Sequence, residues 1–129
     1  MKFTLVVYSA PYSNEASSSA LRFARSLIDE GHEIYRLFFF SDGVHNASRM
    51  VVSAQDEANI PDQWHDLISR HELDSVACVT SAIRRGIVDD KEAARHELDA
   101  ATIHDSTEIA GLGQLIDASM NSDRVISFG

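Results

Sequence analysis

The chain has 129 residues, a net charge of -9 and a hydrophobic fraction of 44%. This length predicts one domain spanning residues 1–129, large enough to bury a core without disulfides or metals. The acidic balance argues against direct nucleic-acid binding, which depends on clustered Lys and Arg. Of the 11 basic residues, only Arg84 and Arg85 are adjacent.

The expected location is the cytoplasm. The one cysteine, Cys78, cannot form an internal disulfide, which fits a reducing compartment. The opening MKFTLVVYSAPYS has a single Lys and a short apolar run, without the longer apolar region of a secretory signal. No apolar run reaches the roughly 18 residues of a membrane span.

The first forty residues predict a strand, a helix and a second strand. Phe3–Tyr8 is a continuous apolar and β-branched run, typical of a strand buried on both faces. After the loop Ser9–Ser13, apolar residues recur at helical spacing up to Ile28, and Gly31 stands where a C-terminal cap is expected. Ile34–Phe40 is a second buried strand. This order indicates a βαβ unit with a parallel sheet.

The second part of the chain continues the alternation after a loop over residues 44–59 with at most a turn of helix. The predicted elements are a helix from Pro61, a strand Leu73–Val79, a short helix Ser81–Arg85, a helix Asp89–Arg95, a short strand Thr107–Ala110, an amphipathic helix with Leu112, Leu115, Ile116 and Met120, and a closing strand Arg124–Phe128. We therefore expect a three-layer α/β/α fold with a mainly parallel, four- to five-stranded sheet, flavodoxin-like in type.

This architecture predicts where a site would lie. Parallel strands joined by right-handed crossovers place their C-terminal ends at one edge of the sheet, where ligands bind in such folds. The loops Ser9–Ser13 and Ser41–Ala47 should therefore meet Cys78 at that edge.

Cys78 has two interpretations. Free cysteine is among the most buried residue types and packs like a small hydrophobe. Alternatively, a helix opening just after Cys78 directs unpaired N–H groups and a positive dipole end at the sulfur, and Arg84 and Arg85 can add charge if they fold back. Both effects favour the nucleophilic thiolate.

Other kinds of site are weaker candidates. Cys78 and Arg84 match the Cys-x5-Arg spacing of tyrosine phosphatases, but the intervening VTSAI has no glycine to open backbone N–H groups to a phosphate. The Ser-rich segment Ser9–Ser19 resembles a flavin-phosphate loop in composition but also lacks glycine. The six His residues show no metal-ligand spacing, so we expect no metal, and His45 is at most a minor contributor at the functional edge.

The segment SVACVTSAIRRGIVDD resembles the active-site region of the TusD/DsrE sulfurtransferase subunits: a strand, its terminal cysteine, a small-residue helix and an Arg-Arg-Gly turn. The opening segment, with Gly-His-Glu and a Phe-rich second strand, is similar to the same family, as are GLGQLIDAS and DRVISF. The resemblance extends over essentially the whole chain.

This resemblance implies a sulfur-relay function without a cofactor. Family members carry sulfane sulfur as a persulfide on the cysteine matching Cys78, receive it from a TusA-like carrier and pass it to a TusE/DsrC-like acceptor. In the Tus pathway the sulfur reaches the 2-thiouridine of tRNA wobble positions. The family assembles as a heterohexamer with two copies each of TusB-, TusC- and TusD-like subunits.

Two alternatives stay open beside the tRNA pathway. The Dsr relatives serve dissimilatory sulfur oxidation and share the same motifs. A non-catalytic subunit could also keep this fold for assembly, with Cys78 buried.

Overall fold

The computed structural model describes all residues from Met1 to Gly129. The five strands are β1 (Lys2–Val7), β2 (Glu33–Phe39), β3 (Ser75–Cys78), β4 (Glu108–Ala110) and β5 (Arg124–Phe128). The five α-helices are α1 (Ala16–Asp29), α2 (Ile60–His71), α3 (Val79–Arg84), α4 (Asp90–Arg95) and α5 (Gly113–Asn121). A 3₁₀ segment, Ser41–Ala47, follows β2. None of the helices is long and apolar enough to cross a membrane.

All five strands form one sheet in the order β4-β3-β2-β1-β5, and every neighbouring pair is parallel. The predicted three-layer parallel architecture is confirmed, and the elements fall where the sequence pattern places them. The closing strand has the predicted bounds, Arg124–Phe128. The 3₁₀ segment Ser41–Ala47 begins before the region 44–59, for which the sequence predicts at most a turn of helix, and it occupies the predicted loop after β2.

The strand order determines which face of the sheet each helix covers. From β1 to β4 the chain steps in one direction, so right-handed crossovers place the connecting helices on one face. Leu21 of α1, Trp64 of α2 and Ala82 of α3 accordingly share the larger core cluster of 19 buried residues. Between β4 and β5 the chain returns across the whole sheet, which puts α5 on the opposite face.

The opposite face has a much smaller buried cluster. It consists of Val6, Phe38, Val76 and Cys78. A helix of nine residues spans only about 14 Å, whereas a five-stranded sheet is roughly 20 Å wide. The chain therefore covers this face thinly.

Helix α5 corrects one expectation from the sequence. Its predicted apolar stripe includes Leu112, Ile116 and Met120, but these side chains are 50%, 62% and 79% exposed. Of its apolar residues, only Leu115 and Ala118 turn toward the sheet, with Ala118 fully buried. The three exposed residues recur at four-residue spacing and form the outer stripe of α5.

Candidate functional site

Cys78 is the last residue of β3 and directly precedes α3, as predicted. The thiol is free, and the residue is only 3% exposed. Its side chain does not cap the helix that follows. The expected position at the C-terminal edge of the sheet is therefore confirmed, and the sulfur is buried in the isolated chain.

The loops after β1, β2 and β3 meet at this edge, as the parallel topology predicts. The buried Asn46 donates to the backbone oxygens of Ser9 and Gly43, at 2.9 Å each, which ties the first loop to the second. The backbone N–H of Ser41 donates to the hydroxyl of Ser81 at 2.9 Å, which ties the second loop to α3. Cys78 is thus presented from a rigid, cross-linked edge.

Gly43 is required by this arrangement. A Cβ atom at this position would lie 1.8 Å from the carbonyl oxygen of Val7, far inside van der Waals contact. The 3₁₀ segment therefore approaches the end of β1 more closely than any residue with a side chain permits.

Apolar side chains cover the cluster that contains Cys78. Ala110 pairs with Cys78 in the β3–β4 register, and Phe40 lies one residue beyond the end of β2. Together with Leu115 from the first turn of α5, they pack against the cluster and are themselves partly buried. We call Phe40, Ala110 and Leu115 the sulfur cover.

Arg84 and Arg85 do not fold back to favour the Cys78 thiolate, as the sequence had suggested they could. The Nε of Arg85 lies 2.8 Å from Oδ1 of Asp42, and its Nη1 donates to the backbone oxygen of Ser81. Its charge is therefore paired within the loop after β2. Arg84 is exposed at the end of α3. The geometry gives no support to a phosphate clamp formed by Cys78 and Arg84.

The histidines form no cluster with other ligands: no group of three or more His, Cys, Asp or Glu side chains is placed to hold a metal ion. His45 is half-buried in the 3₁₀ segment, at the predicted edge. His65 of α2 and His104 stack with ring centroids 4.3 Å apart. Burial, followed by the charge of His65, lowers the pKa of His104 below its ordinary value of 6.5.

A buried arginine beside α5 was missed in the sequence. Arg36 is only 7% exposed, although it lies within β2. Its Nε and Nη2 both donate to Oδ2 of Asp74, and its Nη1 donates to Oδ2 of Asp117 and to the backbone oxygen of Gln114. The signal was present in the segment EIYRLFFF, because a lone charge inside a buried strand needs a partner.

A β-bulge makes these contacts possible. The β1–β2 register slips so that Phe3 pairs with Ile34 and Thr4 with Arg36, which leaves Tyr35 as an extra residue. Tyr35 and Arg36 therefore both reach Asp117, the tyrosine hydroxyl at 2.9 Å. The hydrogen bond to Asp117 raises the pKa of Tyr35, and the bond to Asp74 raises the pKa of Arg36.

Comparison with known proteins shows which family the chain matches. The family model described as DsrE/DsrF-like matches residues 1–128. DsrE of Allochromatium vinosum is 46% identical over 129 residues, which cover 100% of this chain and 99% of that protein. A protein named sulfurtransferase TusD homolog, from Pseudomonas aeruginosa, is 44% identical over 100% of this chain and 98% of its own length.

More distant relatives agree over the same length. Sulfurtransferase TusD of Salmonella typhi is 39% identical over 99% of this chain and 100% of its own length. The crystal structure of the ychN protein from E. coli superposes with a TM-score of 0.80 at 25% identity, covering 99% of each chain. Both fold and sequence therefore match along the entire chain.

Proposed function

The chain belongs to the DsrE/DsrF-like family, and on that premise we propose that it is a sulfurtransferase subunit that carries sulfane sulfur as a persulfide on Cys78. The single observation that carries the proposal is the position of this lone thiol, at the C-terminal end of a parallel strand and directly before a helix. Relatives that match over their full length and are named sulfurtransferases support this role.

The proposed chemistry needs only thiolates. The thiolate of Cys78 attacks the outer sulfur of a donor persulfide, a new S–S bond forms at Cys78, and the donor leaves as a thiolate. In the second step an acceptor thiolate attacks the outer sulfur now held on Cys78, which leaves as a thiolate in turn. Each S–S bond formed replaces one broken, so the sequence requires no external oxidant or reductant.

We infer the sulfur donor and the sulfur acceptor from the family to which the chain belongs. A TusA-like carrier supplies the sulfur, a TusE/DsrC-like protein accepts it, and the pathway ends in 2-thiouridine at the wobble position of tRNA. The net charge of -9 agrees with a relay in which other proteins contact the RNA. Such a pathway places the protein in the cytoplasm.

Partner subunits of the TusB- and TusC-like type fit the thinly covered face of the sheet. The outer stripe of α5 exposes Leu112, Ile116 and Met120, and Val125 of β5 is 40% exposed. Exposed apolar sets of this kind mark protein interaction surfaces. We propose that related subunits cover the stripe in a heterohexamer with two copies of each subunit.

Two alternatives each have an observation in their favour. The 46% identity to DsrE of Allochromatium vinosum favours a DsrE-type subunit in dissimilatory sulfur oxidation. The burial of Cys78 favours a non-catalytic subunit that serves assembly alone.

A Cys78→Ser substitution in cells separates these alternatives. The relay proposal expects 2-thiouridine to disappear from tRNA while the substituted subunit still co-purifies with its partners. Normal tRNA thiolation with a concurrent loss of sulfur oxidation would identify the dissimilatory branch. Loss of neither activity would identify the assembly role.

A further inference from the structure

The proposed relay requires a sulfur that reactants can reach, yet Cys78 is only 3% exposed. Its lateral neighbours Phe40 and Ala110 belong to the sheet edge, whereas Leu115 belongs to α5. The part of the sulfur cover that can move without breaking the sheet is therefore the first turn of α5.

That first turn has little to hold it locally. No side chain caps the N-terminus of α5, and the helix begins with Gly113, a residue of low helix propensity. Leu112, which immediately precedes the helix, and Ile116, in its first turn, are at least half exposed and contribute little packing.

Arg36 supplies the missing attachment. Its Nη1 donates to the backbone oxygen of Gln114 at 2.7 Å and to Asp117 at 3.0 Å, one residue before and two residues after Leu115. The opposite edge of the same guanidinium is fixed to Asp74, immediately before β3. One buried side chain thus joins the residue that precedes β3, the strand of Cys78, to the helix whose Leu115 packs against the cluster that contains Cys78.

From this geometry we propose that Arg36 is a positioning residue for the sulfur site: it latches the first turn of α5 in place and thereby sets how often Cys78 is exposed. The inference deepens the proposed function and rests on it for its biological meaning. Opening of the latch exposes the thiol locally, while the parallel sheet and the larger core cluster stay folded.

Alkylation of the full-length chain with iodoacetamide at fixed pH tests this directly. Cys78 is the only cysteine, so intact mass reports its reaction alone. Leu115→Ala removes part of the cover, Asp117→Asn weakens the latch, and Arg36→Lys keeps one charge but not the forked hydrogen bonds. We expect each to raise the native-state alkylation rate about tenfold or more, because the loss of a charged hydrogen bond, or of part of a packed leucine side chain, favours local opening on at least that scale.

Two control variants match these changes. Ile116→Ala truncates the adjacent residue of the same helix, on its outer side, where it is 62% exposed. Asp62→Asn removes an ion-pairing carboxylate from α2, on the other face of the sheet. Both should react within about twofold of the unsubstituted chain, the scatter of neutral surface changes.

Low urea concentrations separate local opening from unfolding. If α5 opens alone, the faster alkylation of the latch and cover variants stays nearly constant over the first increments of urea. Rates equal to those of the controls, or rates that rise with urea as global unfolding does, would overturn the proposal. Alkylation requires no sulfur donor, so it tests the role of Arg36 independently of the proposed relay. Failure of the relay itself would appear separately, as the absence of persulfide loading on Cys78.

Discussion

Arg36 and Asp117, 81 residues apart in the chain, form an ion pair of 3.0 Å that fastens the last helix to the second strand. Replacement of Arg36 by Ala leaves two carboxylates without their cation and empties a buried site. Because these carboxylates are 45% and 47% exposed, water can solvate them again, and we expect the free energy of unfolding to fall by about 2 kcal/mol, the scale of lost charged hydrogen bonds. Urea titration followed by circular dichroism measures this change.

Arg85→Ala is the matched control for that experiment. Its pair with Asp42 is also short, at 2.8 Å, but both side chains are more exposed, at 26% and 63%. Exposed pairs contribute less than about 1 kcal/mol. Equal losses for the two variants would show that burial does not distinguish the Arg36 cluster.

Gly43 provides a test of the packed functional edge. A methyl group there would meet the backbone of Val7, which cannot move without disturbing β1. Gly43→Ala should lower the free energy of unfolding by about 2–3 kcal/mol, the scale of overpacking a dense site. Gly111→Ala, whose added methyl meets no atom within 4 Å, should stay within about 0.5 kcal/mol. A neutral Gly43→Ala would contradict the close approach of the 3₁₀ segment to the end of β1.

The stacked His65–His104 pair predicts a pH dependence of stability. Because the pKa of His104 is lowered in the folded chain, the unfolded chain takes up a proton first as the pH falls below 6.5. The free energy of unfolding should therefore decrease between about pH 7 and about pH 5.

His104→Gln should reduce that decrease, whereas His71→Gln, at an exposed position at the end of α2, serves as the control and should leave it unchanged. Urea midpoints measured at both pH values provide the comparison. The hydrogen bond that His104 donates to Asp62 opposes the effect of burial on the pKa of His104, so a pH dependence of the opposite sign would show that the carboxylate dominates.

The outer stripe of α5 predicts the assembly surface. Ile116→Asp places a charge in the centre of the stripe and should abolish co-purification with the related subunits, since an unpaired charge is costly to bury. Val52→Asp is the control, because Val52 is 92% exposed and lies outside α5. Native mass spectrometry of co-expressed subunits gives the composition. An intact heterohexamer containing Ile116→Asp would exclude the stripe as the interface.

Most of the fold follows from local patterns in the sequence. Continuous apolar runs such as Ile34–Phe40 identify buried parallel strands, and the alternation of strands and helices implies right-handed crossovers. The sheet edge that bears Cys78 is a consequence of that topology. The topology alone leaves Cys78 open to interpretation as a core residue. The resemblance to the TusD/DsrE family is what identifies it as the candidate sulfur carrier.

Long-range relationships could not be derived in this way. The strand order places α5 alone on one face of the sheet, so no other element of the chain covers its outer side. Leu112, Ile116 and Met120 are therefore exposed, although their spacing is that of a buried apolar stripe. The slip at Tyr35 that brings Arg36 to α5 is a property of strand pairing, with no local signature. Arg85 turned to Asp42 because a nearby carboxylate pairs with it.

Persulfide loading of Cys78 tests the central claim most directly. The full-length chain is incubated with a persulfidated TusA-like donor, and its intact mass is measured before and after reduction, beside a Cys78→Ser control. We predict a gain of one sulfur atom that maps to the peptide containing Cys78, disappears on reduction and is absent from the control. An unchanged mass in the presence of a loaded donor and the partner subunits, or equal labelling of Cys78→Ser, would contradict the assignment of Cys78 as the sulfur carrier.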